Sequence, residues 1–201
     1  NIIEESIVGP SLGEENINSG LWSFVFAFAL VLFYMIFYYN RAGWVANVAL
    51  LANIFFILGT LASLGAALTL PGIAGLVLTI GMSVDANVLI YERVKEELSK
   101  GKGVKLAIAD GYKHAYSAII DANVTSLLTA VVLAYFGSGP IQGFATTLII
   151  GVFTSLFSAL FITRLIFSYM LDNKKEVAFS RKFTKNLFKG TSITFFKKRK
   201  L

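Results

Sequence analysis

Two stretches of this chain carry no formal charge over lengths that few soluble segments reach: Ala42 to Val84, 43 residues, and Ala122 to Thr163, 42 residues. A helix crossing a hydrocarbon core of about 30 Å uses about 20 residues, so each stretch has the length of two crossings joined by a short turn. The breakers fall where such turns belong. Gly65 to Gly72, containing Pro71, interrupts the first stretch, and Gly137, Gly139 and Pro140 interrupt the second. With the uncharged run Gly20 to Tyr39 added, the pattern predicts five spans, approximately Gly20 to Tyr39, Gly43 to Leu64, Pro71 to Tyr91, Ala115 to Phe136, and Ile141 to Leu171. The last is long enough to tilt or to project beyond the bilayer. A soluble bundle would show polar faces on every turn, and these segments do not. Composition agrees: 56% of residues are hydrophobic and 15% charged, against about half and about a quarter in soluble domains. The expected fold is an all-α membrane protein, a five-transmembrane-helix bundle.

Orientation follows from the basic residues. The flank before the first span carries Glu4, Glu5, Glu14 and Glu15 and no Lys or Arg, while all 18 basic residues lie at the opposite ends of the spans: Arg41, Arg93 to Lys113, Arg164, and the tail from Lys174 to Lys200. The positive-inside bias predicts an outer N-terminal flank and a cytoplasmic tail, as an odd number of crossings requires. The net charge of +6 reads as topology anchors and contacts to anionic lipid, not as a nucleic-acid surface. No cysteine is present and His114 is the single histidine, which excludes disulfides, thiolate chemistry and His-pair metal motifs. No basic start and short apolar run precede the first span, so no removable signal peptide is expected, and the chain reads as a piece of a longer one.

Two cytoplasmic segments are expected to lie along the membrane. Glu92 to Leu98 continues a charged turn in which Glu92, Glu96 and Glu97 read as solvated, and Ser99 to Gly103 is a break. Val104, Ala107, Ile108, Tyr112 and Ala115 then recur at helical spacing, which predicts an interfacial helix feeding the fourth span. In the tail, Phe179, Phe183, Leu187 and Phe188 alternate with Arg181, Lys182, Lys185 and Lys189. That segment either covers headgroups or connects to another half of the molecule.

A carboxylate inside an apolar span is costly and persists where it is protonated, paired or facing a wet cavity. Asp85 and Asp121 both stand in such positions, each within the tetrapeptide Asp-Ala-Asn-Val, the two copies 36 residues apart. Antiparallel spans bring the copies to similar depth, facing protein and not lipid. Burial raises a carboxylate's pKa and a nearby cation lowers it, so helix movement can switch such a group between protonated and ionised, as a proton relay needs. The candidate ion-coupling residues are Asp85, Asp121, Asn87 and Asn123. Gly81, one turn before Asp85, and Gly75 are the small positions expected to admit a neighbouring helix. The alternative is structural: Asp85 and Asp121 hold helices together by hydrogen bonds with Asn87, Asn123, Asn47 or Asn53. Arg164 is expected to snorkel.

Enzymatic motifs are absent: no Gly-x-x-x-x-Gly-Lys-Ser/Thr loop, no His-Glu-x-x-His, no Gly-x-Ser-x-Gly elbow. The stretch Leu70-Pro71-Gly72-Ile73-Ala74-Gly75, running on through Thr79-Ile80-Gly81-Met82-Ser83-Val84-Asp85-Ala86-Asn87-Val88-Leu89-Ile90-Tyr91-Glu92-Arg93, resembles the signature of the SecD family of bacterial protein-export subunits. Ile120-Asp121-Ala122-Asn123-Val124-Thr125 and Phe136-Gly137-Ser138-Gly139-Pro140-Ile141-Gln142-Gly143-Phe144-Ala145 resemble it too, as does Val8-Gly9-Pro10-Ser11-Leu12-Gly13. The resemblance covers Val8 to Phe167. It implies an RND/SecD-type half, with residues 1–19 linking from a periplasmic domain, 20–171 forming the last five of six membrane helices, and 172–201 a basic cytoplasmic tail. Thr191 to Lys200 resembles the opening of a SecF half, which implies a fused SecDF chain.

The same resemblance implies that Asp85 matches the essential carboxylate of the family's fourth SecD helix and Asp121 a carboxylate of the fifth. The partner carboxylate and arginine are expected from SecF. The implied partners are a SecF half, the SecYEG channel, the translocating preprotein and anionic lipids. The implied energy source is a proton or sodium gradient, with no cofactor, no metal and no enzymatic step, in the bacterial inner membrane. Another RND-type exporter and a non-transporting membrane scaffold are the competing readings.

Overall fold

A computed structural model of the chain describes residues 10–65, 69–173 and 177–179, with side chains from residue 15 onward. The expectations placed on the tail from residue 180, including Phe183, Leu187, Phe188 and Thr191 to Lys200, lie outside the described residues. Among the described residues every regular element is helical: α1 (Pro10–Tyr39), α2 (Arg41–Ser63), α3 (Leu70–Ser99), α4 (Val104–Phe136) and α5 (Pro140–Phe157), which passes through a π turn (Ser158–Ile162) into α6 (Thr163–Asp172). Five stretches are long and apolar enough to cross a membrane, the last being the continuous run Pro140–Asp172. All five expected spans are present. α1 begins at Pro10, ten residues before the expected start at Gly20.

The ends have local causes. Thr69 caps α3, its Oγ1 accepting from the Gly72 amide at 3.2 Å, with Pro71 in the first turn, where a missing N–H costs nothing. Pro140 opens α5 in the same way after Gly139, whose φ of +49° suits a residue without a Cβ. Asn40 alone separates α1 from α2, turning the chain at φ +52°, a conformation that Asn tolerates better than most residues.

α3 is the central helix, packing most extensively on α5 and then on α4. Its contact with α5 is a seam of small residues. The cap Thr69 meets Gly143 of α5, Gly75 meets Thr147, and Thr79 meets Gly151, the α5 residues at spacings of four. A Cβ on Gly75 would stand 3.1 Å from the Phe144 carbonyl oxygen and 3.2 Å from Thr147 Cβ, and one on Gly151 would meet the Thr79 side chain. Lipid supplies little hydrophobic drive between helices, so close backbone approach through small residues provides the attraction.

α3 and α4 are about 45 and about 50 Å long at 1.5 Å per residue, well beyond a 30 Å hydrocarbon core. Their excess forms a helical hairpin at the basic ends. Here the structure corrects the expected interfacial helix: residues 104–115 are the first turns of α4 itself, one continuous helix to Phe136. The stripe meant for headgroups is buried in protein, since Ala107, Ile108, Tyr112 and Ala115 lie in one core cluster with Ile90, Tyr91 and Val94. Gly111 makes this possible, because any Cβ there would run into Val94, including its backbone nitrogen at 2.9 Å.

The same packing corrects the solvated reading of Glu97, which is only 3% exposed. Its carboxylate receives Lys100 Nζ at 2.8 Å and also Lys102, with His114 Nδ1 at 3.5 Å. Lys102 in turn reaches Asp110. Hydrogen bonds to Asp110 and Glu97 raise the Lys102 pKa above its ordinary value. Removing a buried carboxylate leaves its cations uncompensated, so Glu97→Ala should loosen the 99–103 connection. Trypsin cleavage after Lys100 or Lys102 in reconstituted protein should speed up several-fold; equal rates in variant and wild type would contradict this role.

Candidate functional site

The Asp-Ala-Asn-Val repeat places its two polar residues on opposite sides of each helix. Successive residues turn by about 100°, so positions two apart differ by about 200°. On α3, Asn87 is fully buried while Asp85 is exposed on the outer face of the chain. On α4, Asn123 is buried and Asp121 exposed. The expected set therefore divides: the carboxylates face outward, and the amides face the helices of this chain.

Asp85 and Asp121 lie at matching depth. Each stands 15 residues from the far end of its helix, Asp85 from Leu70 and Asp121 from Phe136, which is about 22 Å along the axis. Both were expected to face protein and not lipid, and the packing of the described residues covers neither of them. Asp85 lines a groove of about 130 Å³ between α3 and α4, opened by Ala86 and Ala122 and shared with Asn123 and Ser126. Asp121 is not among the residues lining it. Gly81 also points outward, with nothing within 4 Å of where its Cβ would be, whereas Gly75 belongs to the α3–α5 seam. Of the two glycines expected to admit a helix, Gly75 admits one of this chain, and Gly81 leaves the face around Asp85 open.

The amides do not pin the carboxylates. Asn87 Nδ2 donates to the Ser83 carbonyl at 3.0 Å and Asn123 Nδ2 to the Ile119 carbonyl at 2.8 Å, both one turn back on their own helices. Asn47 Nδ2 donates across to the Leu32 carbonyl of α1 at 3.0 Å. Neither Asp85 nor Asp121 has a side-chain hydrogen-bond partner or cation among the described residues.

Behind the carboxylate face lies a polar interior in which Ser83 and Ser158, which the residue pattern alone did not single out, join Asn53 and Asn87. Asn53 of α2, Ser83 and Asn87 of α3, and Ser158 of the π turn are buried, and Asn53 Nδ2, Asn53 Oδ1, Ser83 Oγ, Asn87 Oδ1 and Ser158 Oγ have no partner. Most buried polar groups find one. The signal was available, since Ser83 and Asn87 are four apart and Ser155 and Ser158 three apart on otherwise apolar helices. The residues 158–162 that form the π turn carry no comparable mark.

Fold and site together define a multi-span helical membrane protein that exposes intramembrane carboxylates on an open face. The model of the family described as protein export membrane protein SecD/SecF, C-terminal, matches residues 1–173. Protein translocase subunit SecD of Rhodothermus marinus is 58% identical over 174 residues, 87% of this chain and 28% of that protein. SecD of Desulfurispirillum indicum is 52% identical over 173 residues, 86% of this chain and 34% of that protein. The crystal structure of SecDF from Thermus thermophilus, a translocon-associated membrane protein, superposes with TM-score 0.81 at 42% identity over 85% of this chain and 24% of that one. The chain belongs to the SecD/SecF family, and it spans about a third or less of the length of these relatives.

Proposed function

We propose that this chain is membrane machinery of a Sec protein-export accessory subunit, in which Asp85 couples ion movement to preprotein translocation. The observation that carries the reading is the Asp85 carboxylate, set within an apolar helix, lining a groove on the open face and lacking a counter-charge among the described residues. Such a group is tolerated where a second element supplies its partner or water reaches it. A SecF half, fused or separate, is that element, and its seat is the face carrying Gly81, Asp85 and Asp121. The SecYEG channel and the preprotein are the further partners. The role is not enzymatic, it needs no prosthetic cofactor, and its energy is a proton or sodium gradient. A scaffold reading is disfavoured, because among the described residues neither carboxylate makes the hydrogen bonds that pinning would require.

The test is preprotein export by the complete protein in vesicles with SecYEG. Export above the gradient-free level should vanish with a protonophore if protons are coupled, or with a sodium ionophore if sodium is. Stimulation that survives both would sink the reading. Orientation in the bacterial inner membrane, with the N-terminal flank periplasmic and the basic hairpin cytoplasmic, rests on the one-sided Lys and Arg distribution. A Cys in place of Lys102, in a chain free of native cysteine, should resist an impermeant thiol reagent added to intact cells after outer-membrane permeabilisation and react once the inner membrane is opened. Labelling from the periplasmic side would reverse the orientation.

A further inference from the structure

On the side of the bundle where α4 meets the end of the fifth span, at the basic ends of both, lies a hollow of about 560 Å³ that plays no part in the site above. It is bounded by Tyr112, Lys113 and Tyr116 of α4 and by Leu160, Phe161 and Arg164 around the π turn. A second hollow of about 300 Å³ shares Leu160, Phe161 and Arg164 and continues along Leu165 and Ser168. We propose that these adjoining hollows bind one anionic phospholipid of the leaflet on the basic side, its phosphate held by Lys113 and Arg164 and its acyl chain lying along Phe161 and Phe157.

Charge complementarity singles out this occupant. Four cations of the neighbouring hairpin are paired, Arg93 and Lys95 with Glu96 and Glu92, and Lys100 and Lys102 with Glu97 and Asp110, and Lys105, which has no acidic partner among the described residues, does not line the hollow. Lys113 and Arg164 have no acidic partner among the described residues, and no carboxylate lines the hollow they share. Two unpaired cations meeting in one concavity select a compact anion, and guanidinium is suited to phosphate oxygens.

The local backbone explains why the cations converge. The π turn holds one more residue per turn than the helix around it, which rotates α6 relative to α5 about their common axis. Thr163 thereby meets Tyr112, hydroxyl to hydroxyl at 2.5 Å, and locks α4 to the fifth span. Arg164, the next residue, is then directed into the hollow beside Lys113. Tyr116 is 56% exposed at the level where tyrosine rings favour headgroups. Deeper than Arg164 on the fifth span, Phe161, 64% exposed, and Phe157, 49% exposed and stacked on it, offer an apolar track toward the bilayer interior. Snorkelling alone, the role expected for Arg164, needs neither a second cation nor a concavity.

The inference rests on the membrane fold and not on the transport reading, so the two fail separately. The complete protein, purified in mild detergent, is titrated with phosphatidylglycerol, with phosphatidylcholine and with inorganic phosphate, while bound lipid is counted by native mass spectrometry and thermal stability is followed. Wild type should retain phosphatidylglycerol in preference to phosphatidylcholine. The double variant Lys113→Gln, Arg164→Gln should lose about thirtyfold in apparent affinity for it, two charges' worth near an anionic headgroup, while Lys105→Gln should not. Arg164→Lys, which keeps the charge and loses the fork, should fall between. Equal retention of the two lipids by wild type would overturn the proposal whatever the variants do. So would undiminished binding in a folded double variant, or stabilisation by inorganic phosphate alone. A photoreactive residue at Tyr116 that crosslinks to protein and not to lipid in the assembled translocon would assign the hollow to a partner chain and likewise overturn it.

Discussion

The complete protein carrying Asp85→Asn should assemble and insert normally yet export preprotein only at the rate seen without a gradient. Asn is nearly the size of Asp and differs chiefly in being unable to ionise. The structure sharpens this expectation. Asp85 lies on the exposed face, and among the described residues no hydrogen bond or ion pair depends on its charge. Unfolding stability should therefore stay within about 0.5 kcal/mol of wild type, as for other substitutions that break no packed contact. Loss of function with full stability is a signature that a structural role cannot produce. Asp121→Asn should be milder, because Asp121 lies at the same depth but outside the groove that Asp85, Asn123 and Ser126 line. Export into vesicles with and without an uncoupler, beside thermal unfolding of the purified variants, checks both. Wild-type gradient-dependent export by Asp85→Asn, or failure through loss of folding, would remove the coupling role.

Gly151→Ala, one carbon added at the opposite face of α3, should cost far more stability than Asp85→Asn. The new Cβ would run into the Thr79 side chain, whose Cβ would be 2.8 Å away. Thr79 cannot easily swing aside, because its β-branched side chain is stiff in a helix and its Oγ1 donates to the Gly75 carbonyl at 2.8 Å. The α3–α5 crossing must widen instead, giving up contacts along the whole seam. Overpacking of this kind costs about 1–3 kcal/mol. Thr79→Gly on the Gly151→Ala background removes the obstructing atoms, so the double variant should be more stable than the two single effects predict, by about 1 kcal/mol or more. Reversible unfolding of the four proteins in mixed micelles measures that coupling. Strict additivity would mean that the seam yields freely and is not what fixes α3 against α5.

What was legible in the chain itself was everything that depends on length, cost and charge. Ala42 to Val84 and Ala122 to Thr163 had to become two crossings each, because hydrocarbon cannot satisfy an open backbone. Pro71 and Pro140 marked the turns between spans, and the basic residues gathered at one set of ends. Asp85 and Asp121 stood out because a carboxylate in an apolar span is too costly to be incidental.

Which way those residues face was decided by tertiary packing. In water a helix shows its inner side by an apolar stripe, but in lipid both sides are apolar and the stripe disappears. Asn87 and Asn123 thus looked like companions of the aspartates, although two residues of helix turn them to the other side. The stripe from Val104 to Ala115 looked like a headgroup contact until Gly111 brought α4 onto Val94, burying among lysines a Glu97 that the sequence suggested was solvated. The Gly75–Gly151 crossing and the meeting of Lys113 with Arg164 across the π turn join residues far apart in the chain. Such pairings arise only when complementary small surfaces and a shifted helical register come together in three dimensions.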